Sequence, residues 1–319
     1  MKRRTLLAAS LAAPWHPAAA QAQQRVAWVS VFPLQQVKEY LAAFRTGLAA
    51  QGFAEGRNLV LDAVSADGDP RQLPAVVDAV VRRRPAVIVS QGGAIFEVRR
   101  VTDIPVVFGF SGDPVKAGLT DSLARPSRNL TGVTFMAVDL NGKRIELLRE
   151  VSPMARDVML MGDPVHPGVE LEVEASQATA ERLGLRLRWA PTRTVHDVRD
   201  QLASVLRDPV DGLVVLPDSV MLQSRADVSA FAARHLLPSI SGWSSFARAG
   251  GLLTYGPHLE SSFARLAYHA ARILQGTPPS QLPVERPTRF ELVANLRAAA
   301  AIGRTLPLSI IARADEVIE

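Results

Sequence analysis

A chain of 319 residues that is 48% hydrophobic and 21% charged is long enough for two domains with substantial cores. It carries no cysteine, which excludes disulfides, thiolate metal sites, cysteine catalysis and a cysteine-linked lipid anchor. The formal net charge of +5 includes Lys2, Arg3 and Arg4, so cleavage after Ala22 removes three basic residues and no acid, leaving +2 and no basic tail for DNA or RNA.

Those three residues open the segment MKRRTLLAASLAAPWHPAAAQAQQ. A charged start, a short apolar run from Leu6 to Ala13 and two small-x-small sites ending at Ala20 and Ala22 form the pattern of a secretory signal peptide. The apolar run is too short to span a bilayer, and no other run reaches that length. The expected mature protein is therefore exported to the periplasm and does not span the membrane.

Past residue 22, strand-like and helix-like segments alternate. RVAWVSVF (25–32) is a predicted strand; Val37, Tyr40, Leu41, Phe44 and Leu48 follow at helical spacing, with Gly52 as C-cap. NLVLDAV (58–64) is the next strand, and a helix over about 70–84 ends in three arginines, which suit a helix C-terminus. AVIVS (86–90) and IPVVFG (104–109) are continuous apolar runs, as in a parallel sheet covered on both faces. The series pauses near 129–135 and resumes with a helix at about 139–151, a strand at 157–162 and a helix ending at Gly184. Strands at 185–190, 211–217, 238–241 and 251–256 continue it. An apolar stripe from Leu259 to Leu274 marks a long helix, TPPSQLPVERP (277–287) is a connector, and RFELVAN (289–295) precedes short C-terminal helices. The fold class is α/β, with two doubly wound lobes.

In open α/β sheets ligands bind beyond the carboxyl ends of the strands. Small hydroxyls, glycines, carboxylates and aromatics stand there: Ser30, Gln91, Gly92, Gly93, Ser111, Asp113, Asp163, Asp218, Trp243 and Tyr255. Glycines let backbone N–H groups approach a ligand, an Asp can hold an ammonium group, and aromatic faces can sandwich a planar one. Each also has a structural use. Asp113 precedes Pro114, so it either caps the following turn or faces a ligand beside Ser111; both uses stay open. Enzyme motifs are missing: GWSSF (242–246) lacks the last glycine of GxSxG, and there is no P-loop, GxGxxG after the first strand or HExxH. The histidines are scattered, and a spacing such as His166 to His196 specifies no metal site.

The segments LAAFRTGLAAQGFAEGRNLVL, PVVFGFSGDPVKAGLTDSLARPSRNLTGVTF, DLNGKRIELLRE, AGGLLTYGP, LPVERPTRFELVANL and SIIARADEVIE together resemble the substrate-binding proteins of ATP-binding-cassette (ABC) importers of the tryptophan/tyrosine type. The resemblance implies a periplasmic-binding-protein-like fold of the first type, two lobes joined by a multi-strand hinge with a cleft between. The expected lobes are 23–131 plus about 255–288, and 132–254 plus about 289–319. It further implies ligand contacts from the strand-end residues named above, with Thr134 added. The partners implied are a small organic solute, an amino acid with aromatic ones favoured, and an inner-membrane ABC permease. No cofactor, metal or nucleic acid is expected, and the protein should be a monomer with no catalytic activity. The chain departs from the family pattern at Gly162-Asp163-Pro164 and after Asp218, where Ser219, Val220 and Met221 follow. Two other functions fit an exported chain of this class: a periplasmic sensory ligand-binding protein, and an exported α/β hydrolase.

Overall fold

The computed structural model describes residues 23–126, 129–166 and 168–319; the expected signal peptide lies outside them. The first sheet holds β1 (Gln24–Ser30), β2 (Leu59–Ser65), β3 (Val87–Gln91), β4 (Val106–Phe110) and β5 (Leu130–Thr134), in the order β2-β1-β3-β4-β5 and all parallel. Helices α1 (Lys38–Ala50), α2 (Leu73–Arg82) and α3 (Ala94–Val101) connect its strands. The second lobe adds α4 (Ala137–Val151), β6 (Asp157–Gly162), α5 (Val169–Arg182), β7 (Arg186–Pro191), α6 (Val195–Ser204), β8 (Gly212–Val215), α7 (Ser219–Arg234), β9 (Ser239–Ser241), α8 (Ser244–Arg248) and β10 (Leu253–Pro257). The chain then returns as α9 (Leu259–Leu274) and ends with β11 (Phe290–Asn295), α10 (Leu296–Ala301), α11 (Leu308–Ile311) and β12 (Glu316–Ile318). The second sheet runs β12-β11-β10-β9-β8-β6-β7, parallel except between β10 and β11.

The central strands of both sheets are buried on two faces, which is why they read as unbroken apolar runs. In β1 the pleat sends Val26 and Trp28 into one core and Ala27 and Val29 into the other. In β6 Val158 and Leu160 face one core and Met159 and Met161 the opposite one. The last strand, β12, lies where the sequence predicts short C-terminal helices; it pairs in parallel with β11.

The backbone crosses between lobes three times. The first crossing follows Thr134 and the second follows Pro257, where the sequence places them at 131–132 and 254–255. Each cut would split a hydrogen-bonded strand, and the crossings fall after the ladders end. On the way back, Glu285 extends the first sheet: its N–H donates to the Gly132 carbonyl at 2.9 Å and its carbonyl accepts from the Thr134 N–H at 2.9 Å. Although α9 follows the second sheet in sequence, it packs on α1 in the first lobe. A Cβ on Gly47 of α1 would lie 2.7 Å from the Ala267 Cβ, so glycine permits this close approach. The packing brings Tyr40 of α1 and Phe263 of α9 face to face, with centroids 4.8 Å apart and planes 14° from parallel.

Candidate functional site

The carboxyl ends of the two sheets face each other across a small cavity of about 30 Å³. The first lobe supplies an aromatic wall. At the end of β1 the Ser30 hydroxyl accepts the Phe32 N–H at 3.0 Å, a tight turn, and Phe32 lines the cavity. Tyr40 comes from α1, Phe135 from the residue after β5, and Leu259 and Phe263 from α9. Phe135 and Phe263 meet with centroids 6.0 Å apart. Burial pushes the Tyr40 phenol up to about 12, so it stays neutral. Gln91 at the end of β3, Gly92 after it and Ser111 after β4 provide the polar part of this wall, and the Gln91 amide nitrogen is buried with no hydrogen-bond partner.

The second lobe contributes His166 from the β6–α5 loop, Pro217, Asp218 and Ser219 after β8, Leu222 of α7 and Trp243 after β9. Leu222 and Trp243 pack against the first lobe's core, so the two lobes meet. Asp218 caps α7: one carboxylate oxygen accepts the Met221 N–H at 2.8 Å and the other accepts the Asp163 N–H at 2.8 Å. Burial nevertheless raises its carboxyl to about 7, with Asp163 and Glu172 adding negative charge nearby.

Behind Asp218 lies a second buried group. Asn141 of α4 donates to a Glu172 carboxylate oxygen at 3.3 Å and accepts from Arg144, whose Nε donates to the Tyr255 carbonyl at 2.8 Å. Burial raises Glu172 to about 7 and lowers Arg144 to about 10. This region thus holds two carboxyls with raised values beside one buried guanidinium.

His166 Nε2 lies 2.8 Å from the Ser111 hydroxyl, and its Nδ1 lies 3.8 Å from Glu172. The three residues stand in the order nucleophile, base and carboxylate. The geometry is poor for nucleophilic catalysis, because 3.8 Å is beyond a hydrogen bond and burial lowers the imidazole to about 4, a weak base. No cluster of metal-ligating side chains occurs among the described residues.

Of the residues expected at the site, Gln91, Gly92, Ser111, Asp218 and Trp243 line the cavity together. Six do not. Ser30 is spent on the turn behind Phe32, and Gly93 and Asp163 line a wider recess at the cleft mouth. Asp163 also accepts the Val165 N–H at 3.0 Å. Asp113 lines an adjoining recess with Ser111 and Thr134, and its Oδ1 accepts the Val115 N–H at 2.8 Å and the Lys116 N–H at 3.1 Å, the capping use. The Thr134 hydroxyl donates to the Gly112 carbonyl at 3.2 Å. Tyr255 packs against the second lobe's core. Conversely, Tyr40, Leu259 and Phe263 read from sequence as ordinary core, and His166 as one of several scattered histidines. Phe32 and Phe135, aromatics at strand ends, carry a positional signal.

Two α/β lobes with facing strand ends, three crossings and a polar-aromatic cavity between the lobes define a two-lobed solute receptor. The model of the family described as ABC transporter substrate binding protein matches residues 34–318, and the chain belongs to that family as a solute-binding protein of an ABC transporter. The chain is 23% identical over 255 residues to a tyrosine-binding protein of Clostridioides difficile strain R20291, which covers 79% of this chain and 73% of the relative. Among solved structures it resembles a conserved domain protein from Vibrio cholerae O1 biovar El Tor, with a TM-score of 0.86, 24% identity and coverage of 92% and 99% of the two chains. It also resembles an ABC domain from Streptococcus pneumoniae in complex with L-Trp, with a TM-score of 0.86, 20% identity and coverage of 93% and 100%. No helix among the described residues is long and apolar enough to cross a membrane.

Proposed function

We propose that this protein is an exported receptor that captures an L-aromatic amino acid between its lobes and hands it to an inner-membrane ABC permease. The observation that carries the ligand class is the pairing of one buried carboxylate, Asp218, with walls built from Phe32, Tyr40, Phe135, Trp243 and Phe263. An ammonium group beside Asp218 would stabilise the ionised form that burial opposes. The aromatic walls suit a planar side chain. Ser111 and the unpartnered Gln91 amide can bond the solute's polar end. The tyrosine-binding and L-Trp-bound relatives support the same class. The N-terminal signal pattern supports export. A receptor without catalysis of its own is the simplest reading of a cleft whose histidine is a weak base.

A thermal-shift series tests the ligand class. L-tryptophan, L-tyrosine and L-phenylalanine should each raise the melting temperature, and N-acetyl-L-tryptophan, which has lost its ammonium charge, should not. Equal shifts with the acetylated compound would remove Asp218 from recognition of the amino group.

A further inference from the structure

Ser111 follows β4 of the first lobe and His166 lies in the β6–α5 loop of the second, 55 residues further along the chain. Their side chains meet at 2.8 Å with both nearly excluded from solvent: Ser111 is 4% exposed and the His166 side chain 9%. The imidazole also lies on Phe110 of the first lobe, with centroids 5.8 Å apart and planes 14° from parallel. The contact sits at a boundary. His166 lines both the cavity and the recess at the cleft mouth, and Ser111 lines both the cavity and a second recess beside Asp113 and Arg286. The cross-lobe ion pairs among the described residues, Arg248 with Glu39 at 3.8 Å and with Glu260 at 4.0 Å, involve side chains 39% to 60% exposed. Solvent screens such pairs, and a buried hydrogen bond is not screened in that way.

We propose that the Ser111–His166 hydrogen bond is a latch that holds the two lobes closed and seals the cavity from the recesses on either side, with His166 as its positioning residue. Opening the cleft would expose the imidazole face on Phe110 and break this bond together. Glu172 of α5 is the ionisable side chain facing the ring, 3.8 Å from Nδ1. The ring is neutral at neutral pH because burial depresses its protonation, so it serves the latch as a single donor or acceptor. The assignment rests on the cleft being the solute site, and its test separates the two claims.

Nitroxide labels at Gln72→Cys and His196→Cys, exposed positions on opposite lobes of a chain without cysteine, report lobe separation by double electron–electron resonance. The wild type should show a short-distance, closed population, enlarged by saturating L-tryptophan. His166→Ala and Ser111→Ala should each lower the closed-to-open ratio about fivefold, as loss of one buried hydrogen bond implies, and the double variant should lower it little further. His166→Gln, whose amide can still bond the Ser111 hydroxyl, should keep most of the closed population, and urea unfolding confirms that each variant is folded. A closed population lost in the Ala variants but indifferent to L-tryptophan in the wild type supports the latch and sinks the ligand assignment instead. Distributions unchanged by either Ala substitution overturn the latch, as does a folded His166→Gln no more closed than His166→Ala, or a wild type without a closed population in either condition.

Discussion

Asp218 accepts two backbone N–H bonds, each of which favours the carboxylate, and its carboxyl still rises to about 7. Burial outweighs both bonds. Glu172 shares that fate, and both groups hold their protons more tightly in the fold than in the unfolded chain. Their contribution to stability is therefore greatest below about pH 4 and declines as pH rises to about 7. His166 works in the opposite direction, from about 4 in the fold towards an ordinary value near 6.5, so its contribution grows over much of the same window. Two carboxylates against one imidazole leave a net decline. The ligand-free melting temperature should fall between pH 5 and pH 7.5, and the slope should flatten in Asp218→Asn. A slope unchanged by the substitution would show that Asp218 titrates as an ordinary carboxyl. In the same variant, affinity for L-tryptophan at pH 8 should drop about ten- to hundredfold, the scale of one charge-assisted hydrogen bond; calorimetry reads it directly. The sequence marked Asp113 and Asp218 alike as candidates, because both follow a strand. What separates them is burial, a property of the assembled lobes: Asp218 is 4% exposed at the cavity wall, and Asp113 caps a surface turn.

At the scale of elements, the strands were legible for a simple reason. Val87, Ile88 and Val89 are at most 1% exposed, so no polar residue interrupts them. The end of β12 was not legible: Glu316, Val317 and Ile318 form a strand only because β11 offers them a ladder. Nor could the spacing of α1 and α9 reveal a binding wall, since Tyr40, Leu259 and Phe263 occupy the same helical stripe as true core residues. One short-range contact does show how tightly the Trp243 loop is set. A Cβ on Gly256 of β10 would lie 1.8 Å from the Gly242 carbonyl, next to Trp243 in the chain. Backbone against backbone cannot yield as a flexible side chain would. Gly256→Ala should thus destabilise the protein by about 1–3 kcal/mol, read as a lower urea midpoint, and should weaken solute binding by displacing the indole. A midpoint within error of the wild type would mean that the loop relaxes without cost.

Across the whole molecule, two sheets were foreseeable from the alternating elements, and the pairing of their carboxyl ends from the general rule for such sheets. The cavity's actual membership was not, because it depends on closure. Trp243 and Leu222 join the first lobe's core from the second lobe, and His166 reaches Ser111 across 55 residues of sequence. Closure and solute binding are then one equilibrium, since a ligand shifts the lobes only by preferring the closed form. The most direct check is a calorimetric titration of L-tryptophan into the chain from residue 23 onward at pH 8. One saturable site per chain is expected. At about 100 times the dissociation constant the ligand should add about 2.7 kcal/mol of stability, a melting shift on the order of 5–10 °C. No saturable heat with L-tryptophan, L-tyrosine or L-phenylalanine would contradict an aromatic amino acid as the solute of this cleft.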